Sequence, residues 1–352
     1  MISLVDAAAP HVAAGEPPVV SVDDQSGEGI VNLRGELSLH FGGRLSDVRA
    51  AWRMVGPVGA PVVVALGGIS AGRHVTNHDG AHGWWSNIVG IGRALDSAKF
   101  QILGMDFLGG SGATTGPQAG QTDFPSVSAY DQADLLRRVM EHLRIPRVHA
   151  IVGASYGGMV ALAFAERWPD LVGSIVSISA ADRSHPMSTA WRSVQRAVVH
   201  FALAKGDGPA GLRLARALAM ATYRSPDEFD RRFSAPPIDS CGRFTFPVES
   251  YLMARGEVYA ASYLPEAFVC LSESIDLHHV DATKIRVPTI LIAVREDQLV
   301  PLQDMRALRG RLSGPAELFE ISSHYGHDAF LKEDKSLRSI FARVLHSSRE
   351  AL

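Results

Sequence analysis

The segment GASYGGMVAL, residues 153–162, places a serine between two glycines, after the apolar run VHAIV and before a segment with helical spacing. A serine on a sharp turn from a strand into a helix exposes its hydroxyl above the sheet, which is the arrangement of a nucleophile elbow. Gly153 and Gly157 would let the strand and the helix approach closely. A Gly-rich chain also produces this pattern by chance, so the alternative is an ordinary strand-to-helix turn that includes Ser155.

A serine hydroxyl is a poor nucleophile until a base accepts its proton, so the hypothesis requires a histidine and an acid farther along the chain. REDQLVP follows the strand-like run VPTILIAV and places Asp297 at the carboxyl end of a strand, whereas SHYGHDAFL places His327 on a loop. The order Ser155, Asp297, His327 is typical of α/β-hydrolase triads. Glu296 is the alternative acid and His324 is the alternative base.

Such a serine nucleophile also needs N–H donors for the oxyanion of its tetrahedral intermediate. In this fold one donor is the backbone of the residue after the nucleophile, here Tyr156, and the other comes from the loop after an earlier strand. That loop begins within VALGGISAGRHV, so the sequence predicts Leu66 or Gly67 as the second donor. The alternative for this loop is a plain glycine turn.

Strand-like and helical segments alternate along the chain. The strand-like segments are short apolar runs, which predict central parallel strands that are covered on both faces. Between them lie helical patterns, and SLHFGGRLSDVRAAWRMVG predicts an antiparallel hairpin at one edge of the sheet. The fold class is therefore α/β, an α/β-hydrolase fold with a mostly parallel, doubly wound sheet. The apolar runs are 61–66, 100–107, 147–153, 173–179 and 287–294, and helical patterns include 128–145 and 156–170.

The alternation stops between about residues 182 and 282, where three segments have helical spacing and no central strand is evident. This stretch is interpreted as a helical lid over the ligand-binding edge of the sheet. The predicted organisation is a flexible N-terminus, a first core segment, the lid insertion and a second core segment, at residues 1–25, 26–181, 182–284 and 285–352.

The composition narrows the range of partners. A formal net charge of -3 with both signs dispersed shows no basic stripe for nucleic acid or membrane, which favours small neutral or weakly anionic ligands. The N-terminal residues lack a signal-peptide pattern and no segment reaches ~18 uninterrupted apolar residues, so we expect a cytoplasmic protein. Cys241 and Cys270 belong to no CxxC pair or His-rich cluster, so we expect reduced core thiols and no metal.

Several longer motifs point to one family. GWWSNIVGIGRALD, DFLGGSGATTGP, GGMVALAFAERWPD, SVQRAV, YRSPDEFDRRF, VESYL and GHDAFL together resemble the homoserine O-acyltransferases of the α/β-hydrolase superfamily. The similarity runs from about residue 60 to the end of the chain. GWW, TTGP and GHDAFL are specific as a set, far more so than the elbow alone.

The resemblance implies transfer of an acyl group from acyl-CoA to the side-chain hydroxyl of L-homoserine, an early step of methionine biosynthesis. It implies Ser155, Asp297 and His327 as the triad. It also implies Arg224 as a contact for the substrate carboxylate and Asp328 as a contact for the substrate ammonium. A planar guanidinium binds a carboxylate bidentately, which supports the first of these two roles. Alternatively, Arg224 closes a helix C-terminus and Asp328 caps the next helix.

The identity of the acyl donor is inferred from two positions at which this chain departs from the family pattern. Tyr156 stands where family members commonly have Met or Leu, and LGGISAGRHV differs from the usual acetyl-transferring loop and looks more like the succinyl-transferring branch. Arg73 in this loop would suit the free carboxylate of a succinyl group. We therefore expect succinyl-CoA as donor, with acetyl-CoA as the alternative, no cofactor beyond this co-substrate, and a homodimer formed through the apolar insertion.

Three other functions remain open from the sequence. The acceptor could be serine instead of homoserine, within the same family. Water could replace the acceptor, which would make the protein an esterase or a thioesterase with the same triad. A noncatalytic binding protein of this fold is the third alternative, but such a protein would be expected to lose a triad residue and this chain has all three.

Overall fold

The computed structural model describes residues 27–346, so the predicted flexible segment 1–25 lies outside the described residues. None of the helices in this range is both long and apolar enough to cross a membrane. The strands are β1 (Gly27–Ser38), β2 (Arg44–Val55), β3 (Val62–Leu66), β4 (Val89–Gly90), β5 (Leu95–Asp96), β6 (Gln101–Met105), β7 (Val148–Ala154), β8 (Val172–Ile178), β9 (Ile238–Ser240), β10 (Arg243–Thr245), β11 (Thr289–Val294) and β12 (Ala316–Ile321). The helices are α1 (Ala129–His142), α2 (Tyr156–Arg167), α3 (Pro186–Leu203), α4 (Gly208–Tyr223), α5 (Pro226–Phe233), α6 (Pro247–Ala260), α7 (Pro265–Asp276), α8 (Leu302–Arg311) and α9 (Asp334–His346).

Eight strands form the central sheet in the order β1-β2-β6-β3-β7-β8-β11-β12. The six strands from β6 to β12 in this order run parallel, whereas the β1–β2 hairpin is antiparallel and joins β6 at one edge. The predicted fold class and the edge hairpin are confirmed. The first hairpin strand begins at Gly27, earlier than predicted, because the polar, Gly-containing stretch GEGIVNLRGELS lacks a clear apolar alternation.

Both faces of the sheet are covered, which explains why its central strands read as continuous apolar runs. Apolar side chains of α1, α2 and α8 pack on one face. On the other face lie α9 and the segment around Trp85 and Ile88. All five residues of β6 and all six of β11 are buried as a result.

The insertion between β8 and β11 contains α3 to α7, and all five helices lie within the predicted lid segment 182–284. The short hairpin β9–β10 was not predicted, because each strand has three residues and β10 is exposed, so no apolar run marks it. No described strand of the insertion joins the central sheet. The division into domains stays a prediction.

The two cysteines are free, but they lie in different environments. Cys270 is buried in α7, and burial raises the pKa of its thiol to about 12. Cys241 is exposed in the turn between β9 and β10, with φ of 54°. The expected core position is therefore wrong for Cys241, because it lies in a surface turn.

Candidate active site

Ser155 lies on the turn that joins β7 to α2. Its backbone has φ of 53° and ψ of -121°, a conformation that L-residues rarely adopt. A Cβ atom on Gly153 would lie 2.1 Å from the carbonyl oxygen of Gly157, and one on Gly157 would lie 2.3 Å from that of Leu66. Only glycines fit at these two positions, so the sharp turn predicted for this motif is confirmed.

The side chains of Ser155, His327 and Asp297 form a continuous chain of hydrogen bonds. The Ser155 hydroxyl lies 2.8 Å from Nε2 of His327, and Nδ1 of the same ring lies 2.7 Å from Oδ2 of Asp297. The other carboxylate oxygen of Asp297 accepts the backbone N–H groups of Leu299 and Val300 at 2.8 and 3.0 Å. The carboxylate is thus held in one orientation, with one oxygen left for the imidazole.

The two alternative residues lie elsewhere. Glu296 accepts the backbone N–H of Ser323 at 2.8 Å, and it does not reach His327. The ring of His324 packs on that of Tyr325, with centroids 4.0 Å apart. Neither alternative lines the cavity beside the serine, so the geometry favours Asp297 and His327.

The loop that carries His327 is held by the GWW motif. A 3-10 turn spans Gly326–Leu331, and Gly326 has φ of 57°, which glycine adopts without strain. The indole N–H of Trp85 donates to the carbonyl oxygen of Phe330 at 2.8 Å from a fully buried position. Two of the motifs that are specific as a set therefore pack against each other under the imidazole.

The pKa of His327 is raised above its ordinary value of 6.5. Burial acts in the opposite direction and would lower this pKa, but the Asp297 carboxylate and its hydrogen bond outweigh burial, and Asp328 adds to the rise. A general base must be neutral to accept a proton. Activity that depends on His327 should therefore be present above the raised pKa and be lost as the pH falls through it.

We predict that the acid limb of kcat/KM for acyl-CoA lies above pH 6.5, because this profile reports the pKa of the free protein's base. Asp328→Asn removes a charge that raises this pKa, so the acid limb should move to lower pH. Asp304→Asn, on the same cavity wall, is the matched control and should leave the limb in place. Coenzyme A release in the first turnover measures the profile, and an acid limb below pH 6.5 in the unmodified chain would contradict the prediction.

In the loop after β3, the residues that line the cavity come one to two positions later in the sequence than the predicted second oxyanion donor. Neither Leu66 nor Gly67 lines the cavity, because β3 continues through Leu66, which is buried. Gly68 and Ile69 do line it, and their backbone N–H groups have no acceptor among residues 27–346. Tyr156 begins α2, where its N–H has no intrahelical acceptor. The candidate oxyanion donors are therefore the N–H groups of Tyr156, next to Ser155, and of the Gly68–Ile69 turn.

The cavity beside Ser155 has a volume of about 210 Å³ and lies between the sheet edge and three lid helices. Arg192 of α3 and Arg216 of α4 line it, together with apolar residues such as Phe268 of α7. Asp328, one residue after the triad histidine, also lines the cavity, and its contact with a substrate ammonium stays a prediction. The cavity therefore offers both charge signs beside a nucleophile.

Arg216 was missed by the sequence analysis. Its guanidinium lies over the rings of Tyr259 and Tyr223, with centroids at 4.5 and 5.2 Å. Within the described range no carboxylate oxygen lies within 4.0 Å of it. A partly buried cation with aromatic neighbours and no acid partner is suited to bind an anionic group. The one signal in the sequence that could have indicated Arg216 was its position two helical turns before Arg224.

Arg224 does not line the cavity, contrary to its predicted role as a substrate contact. It is the C-cap of α4, and its guanidinium donates to Glu228 and forms an ion pair with Asp328. Its Nη1 lies 3.1 Å from Oε2 of Glu228, and its Nε lies 3.1 Å from Oδ2 of Asp328. Arg224 thus lies between Glu228, which it shares with Arg232, and Asp328, and does not reach the cavity.

Arg73 is also removed from the cavity, and the structure contradicts its predicted contact with a succinyl carboxylate. Its guanidinium lies 2.6 Å from Oδ2 of Asp106 and 2.6 Å from Oε1 of Glu28. Its backbone N–H donates to the other oxygen of Asp106 at 2.7 Å. Both acids come from distant parts of the chain, so the loop sequence alone could not indicate this pairing.

A second cationic group reaches the cavity from α3. Asp276 accepts Nε of Arg192 at 2.8 Å and Nη1 of Arg196 at 2.6 Å. Burial would raise the pKa of Asp276, but the two guanidinium groups hold it below its usual value. Two arginines share one carboxylate, so this part of the wall carries a net positive charge, and Arg192 is the member that faces the cavity.

Tyr156 connects the elbow to the lid. Its side chain is fully buried, and its hydroxyl lies 2.5 Å from the hydroxyl of Ser274 in α7, which is also fully buried. The ring packs edge-on against Phe107. The residue after the nucleophile therefore bonds the catalytic turn to a lid helix.

The sheet order, the strained elbow and the hydrogen-bonded Ser-His-Asp arrangement together define an α/β hydrolase, and a sequence model of the alpha/beta hydrolase fold family matches residues 61–334. A homoserine O-succinyltransferase of Xanthomonas campestris pv. campestris is 38% identical over 99% of this chain and 90% of its own length. The chain therefore belongs to the homoserine O-acyltransferase family.

Two further comparisons agree with this membership. A serine O-succinyltransferase of Litchfieldella anticariensis is 32% identical over 90% of this chain and 98% of its own length. The crystal structure of the homoserine O-acetyltransferase from Bacillus anthracis matches with a TM-score of 0.83 over 91% of this chain and 98% of that one. Its sequence identity is 18%, so this likeness shows the fold alone.

Proposed function

We propose that the protein transfers a succinyl group from succinyl-CoA to the side-chain hydroxyl of L-homoserine through an acyl-Ser155 intermediate. The observation that carries the proposal is the Ser155–His327–Asp297 hydrogen-bond chain at a cavity lined by three arginines, Arg183, Arg192 and Arg216. A succinyl group and an amino acid each bring one carboxylate. The Xanthomonas relative, named a homoserine O-succinyltransferase, supports the same substrates.

In the first half-reaction, His327 accepts the hydroxyl proton of Ser155 as the serine oxygen attacks the thioester carbonyl. The N–H groups of Tyr156 and of the Gly68–Ile69 turn bind the resulting oxyanion. The C–S bond then breaks, and the leaving thiolate takes the proton from His327. Asp297 stabilises the imidazolium and keeps its Nε2 directed at Ser155 throughout.

In the second half-reaction, the homoserine hydroxyl takes the place that coenzyme A has left. His327 accepts its proton, and the alkoxide attacks the acyl carbon of the ester on Ser155. The second tetrahedral intermediate collapses, the bond to the serine oxygen breaks, and His327 returns the proton to that oxygen. The product is O-succinyl-L-homoserine, which places the reaction in methionine biosynthesis.

We assign the amino-acid acceptor to Arg216 and Asp328. These two groups are close enough for each to shift the pKa of the other. A planar guanidinium suits the α-carboxylate, and a carboxylate beside the catalytic imidazole suits the α-ammonium. An amino acid held by both would direct its side chain toward Ser155 and His327.

We assign the free carboxylate of the succinyl group to Arg192. Arg192 lines the same cavity as Ser155 and His327. Among residues 27–346 its one acid partner is Asp276, which Arg196 shares, so one positive charge is left over. A succinyl carboxylate would neutralise this charge, whereas an acetyl group would leave it unpaired.

Initial rates with each donor and each acceptor test the proposal. We expect succinyl-CoA with L-homoserine to give the highest kcat/KM. Equal rates of coenzyme A release with and without an acceptor would identify a thioesterase. A preference for L-serine would identify a serine O-succinyltransferase, like the Litchfieldella relative, and a preference for acetyl-CoA would contradict the donor assignment.

We predict that Arg192→Gln lowers kcat/KM for succinyl-CoA by roughly tenfold to a hundredfold, the loss expected for one charge-assisted hydrogen bond of ~1.5 to 3 kcal/mol. The value for acetyl-CoA should change little. Arg213→Gln is the matched control, because this arginine lies on α4 near the surface and pairs with Glu257. An equal fall for both donors would instead assign Arg192 to coenzyme A or to the fold of the lid.

We also propose a cytoplasmic homodimer formed through the lid. Large apolar side chains are exposed on α3 and α4: Met187, Val194, Phe201 and Leu214. Burial of such side chains against a second copy is a common source of dimer stability. Light scattering should give twice the mass of one chain, and a monomer would contradict this assignment.

A further inference from the structure

A group of metal-ligating side chains lies outside the active site, where the first strand meets the loop after β3. Glu28 comes from β1, and His74 and His78 come from that loop. One ligand atom from each residue lies within 4.8 Å of the other two. No metal was expected from the surroundings of the two cysteines, and Glu28 is 46 residues from His74, so the sequence does not show this group.

Two of the three separations between these atoms are compatible with ligands around one ion. Nε2 of His74 lies 3.2 Å from Oε2 of Glu28, and Nε2 of His78 lies 3.5 Å from the same oxygen. A tetrahedral ion with bonds of about 2.0 to 2.1 Å separates neighbouring ligand atoms by roughly 3.3 Å. These two distances bracket this value, and the rings of His74 and His78 stack nearly parallel, so one imidazole must turn before both nitrogens can bind one ion.

The loop holds its two histidines in a defined arrangement. Their rings stack with centroids 4.9 Å apart and an angle of 21° between planes. His78 and Ala81 exchange both backbone hydrogen bonds, at 3.0 and 2.8 Å, which closes a tight turn next to the ligand. Within this turn, Oδ2 of Asp79 lies 3.1 Å from Nε2 of His78, so a second carboxylate is close by.

The surrounding charges favour a divalent cation. Arg73 binds Oε1 of Glu28, Nε2 of His74 lies 3.3 and 3.2 Å from Oε1 and Oε2, and Nε of Arg53 lies 4.0 Å from Oε2. Arg73 also binds Asp106. The local set thus contains three carboxylates, of Glu28, Asp79 and Asp106, against two guanidinium groups. One negative charge is left over when the histidines are neutral, as metal binding requires.

We propose that Glu28, His74 and His78 bind one Zn²⁺, Ni²⁺ or Co²⁺ ion, with Asp79 or water as the fourth ligand. Two imidazoles with one or two carboxylates match the preferences of these ions and not those of Mg²⁺ or Ca²⁺, which favour all-oxygen sites. The ion joins β1 to the loop whose first part, Gly68–Ala71, lines the active-site cavity. It therefore stabilises this loop and takes no part in the acyl transfer.

Titration of the full-length, chelator-treated protein tests the proposal. Calorimetry with Zn²⁺ should show one saturable site per chain, and Co²⁺ should give the visible absorption of a tetrahedral site with nitrogen ligands. Zn²⁺ should also raise the melting temperature. These three signals should disappear in His74→Ala/His78→Ala.

His142→Ala, an exposed histidine at the end of α1, is the control and should keep the three signals. The double variant replaces partly exposed side chains, and its melting temperature in chelator shows whether it folds. Binding that persists in the folded double variant would overturn the proposal. So would the lack of any saturable site in the unmodified chain.

Discussion

Ser155→Ala should reduce acyl transfer by about 10⁶-fold, the scale of loss when the nucleophile of a serine triad is removed. The substitution removes one oxygen atom from a turn that already excludes larger side chains at its flanking glycines. Alanine adopts the same positive φ about as poorly as serine, so the fold should persist. The remaining rate reports what binding and the oxyanion donors achieve without covalent catalysis.

Mass spectrometry after mixing with succinyl-CoA alone provides the decisive measurement. The unmodified chain should gain one succinyl group, and Ser155→Ala should gain none. Ser193→Ala, an exposed serine on α3, is the control and should be succinylated normally. Normal turnover by Ser155→Ala would exclude the covalent mechanism, and a succinyl group on another residue would relocate the nucleophile.

Asp297→Asn should lower kcat by about 10⁴-fold, as the same change does in serine proteases with this triad. Asp297 accepts two backbone N–H groups with one oxygen and the imidazole N–H with the other. An asparagine would keep its oxygen on the two backbone donors, which turns its NH₂ group toward His327. The imidazole would then carry its proton on Nε2 and could no longer accept the proton of Ser155.

The effect of Asp297→Asn on the His327 tautomer can be distinguished from an effect on the stability of the fold. Asp297→Asn should melt close to the unmodified chain, because the backbone hydrogen bonds survive. Asp297→Ala should be less stable, since it leaves the N–H groups of Leu299 and Val300 without their acceptor. A rate for Asp297→Asn within tenfold of the unmodified chain would show that another group orients the imidazole.

The fold and the triad could be predicted because local sequence determines them. Apolar runs covered on both faces mark parallel strands, and the elbow requires glycine at two positions where no side chain fits. Asp297 and His327 each follow a strand that ends at the same edge of the sheet. Chain order and strand ends were therefore sufficient to find them.

The substrate contacts could not be predicted in the same way, because they depend on which charges are already paired. Arg224 and Arg216 lie eight residues apart on α4 and its cap. Only the structure shows that Glu228 and Asp328 bind the first and that no described acid binds the second. Arg73 resembled a donor contact for the same reason, since its partners Glu28 and Asp106 are distant in sequence.

The hydroxyl pair between Tyr156 and Ser274 constrains how the enzyme exchanges its substrates. A lid that swung away as a rigid body would break this buried hydrogen bond, which contributes about 0.5 to 1.5 kcal/mol. The same movement would pull on the turn that carries Ser155. Acyl-CoA and the amino acid should therefore enter and leave through a fixed opening. The lid then forms the wall of a tunnel and does not open as a rigid body.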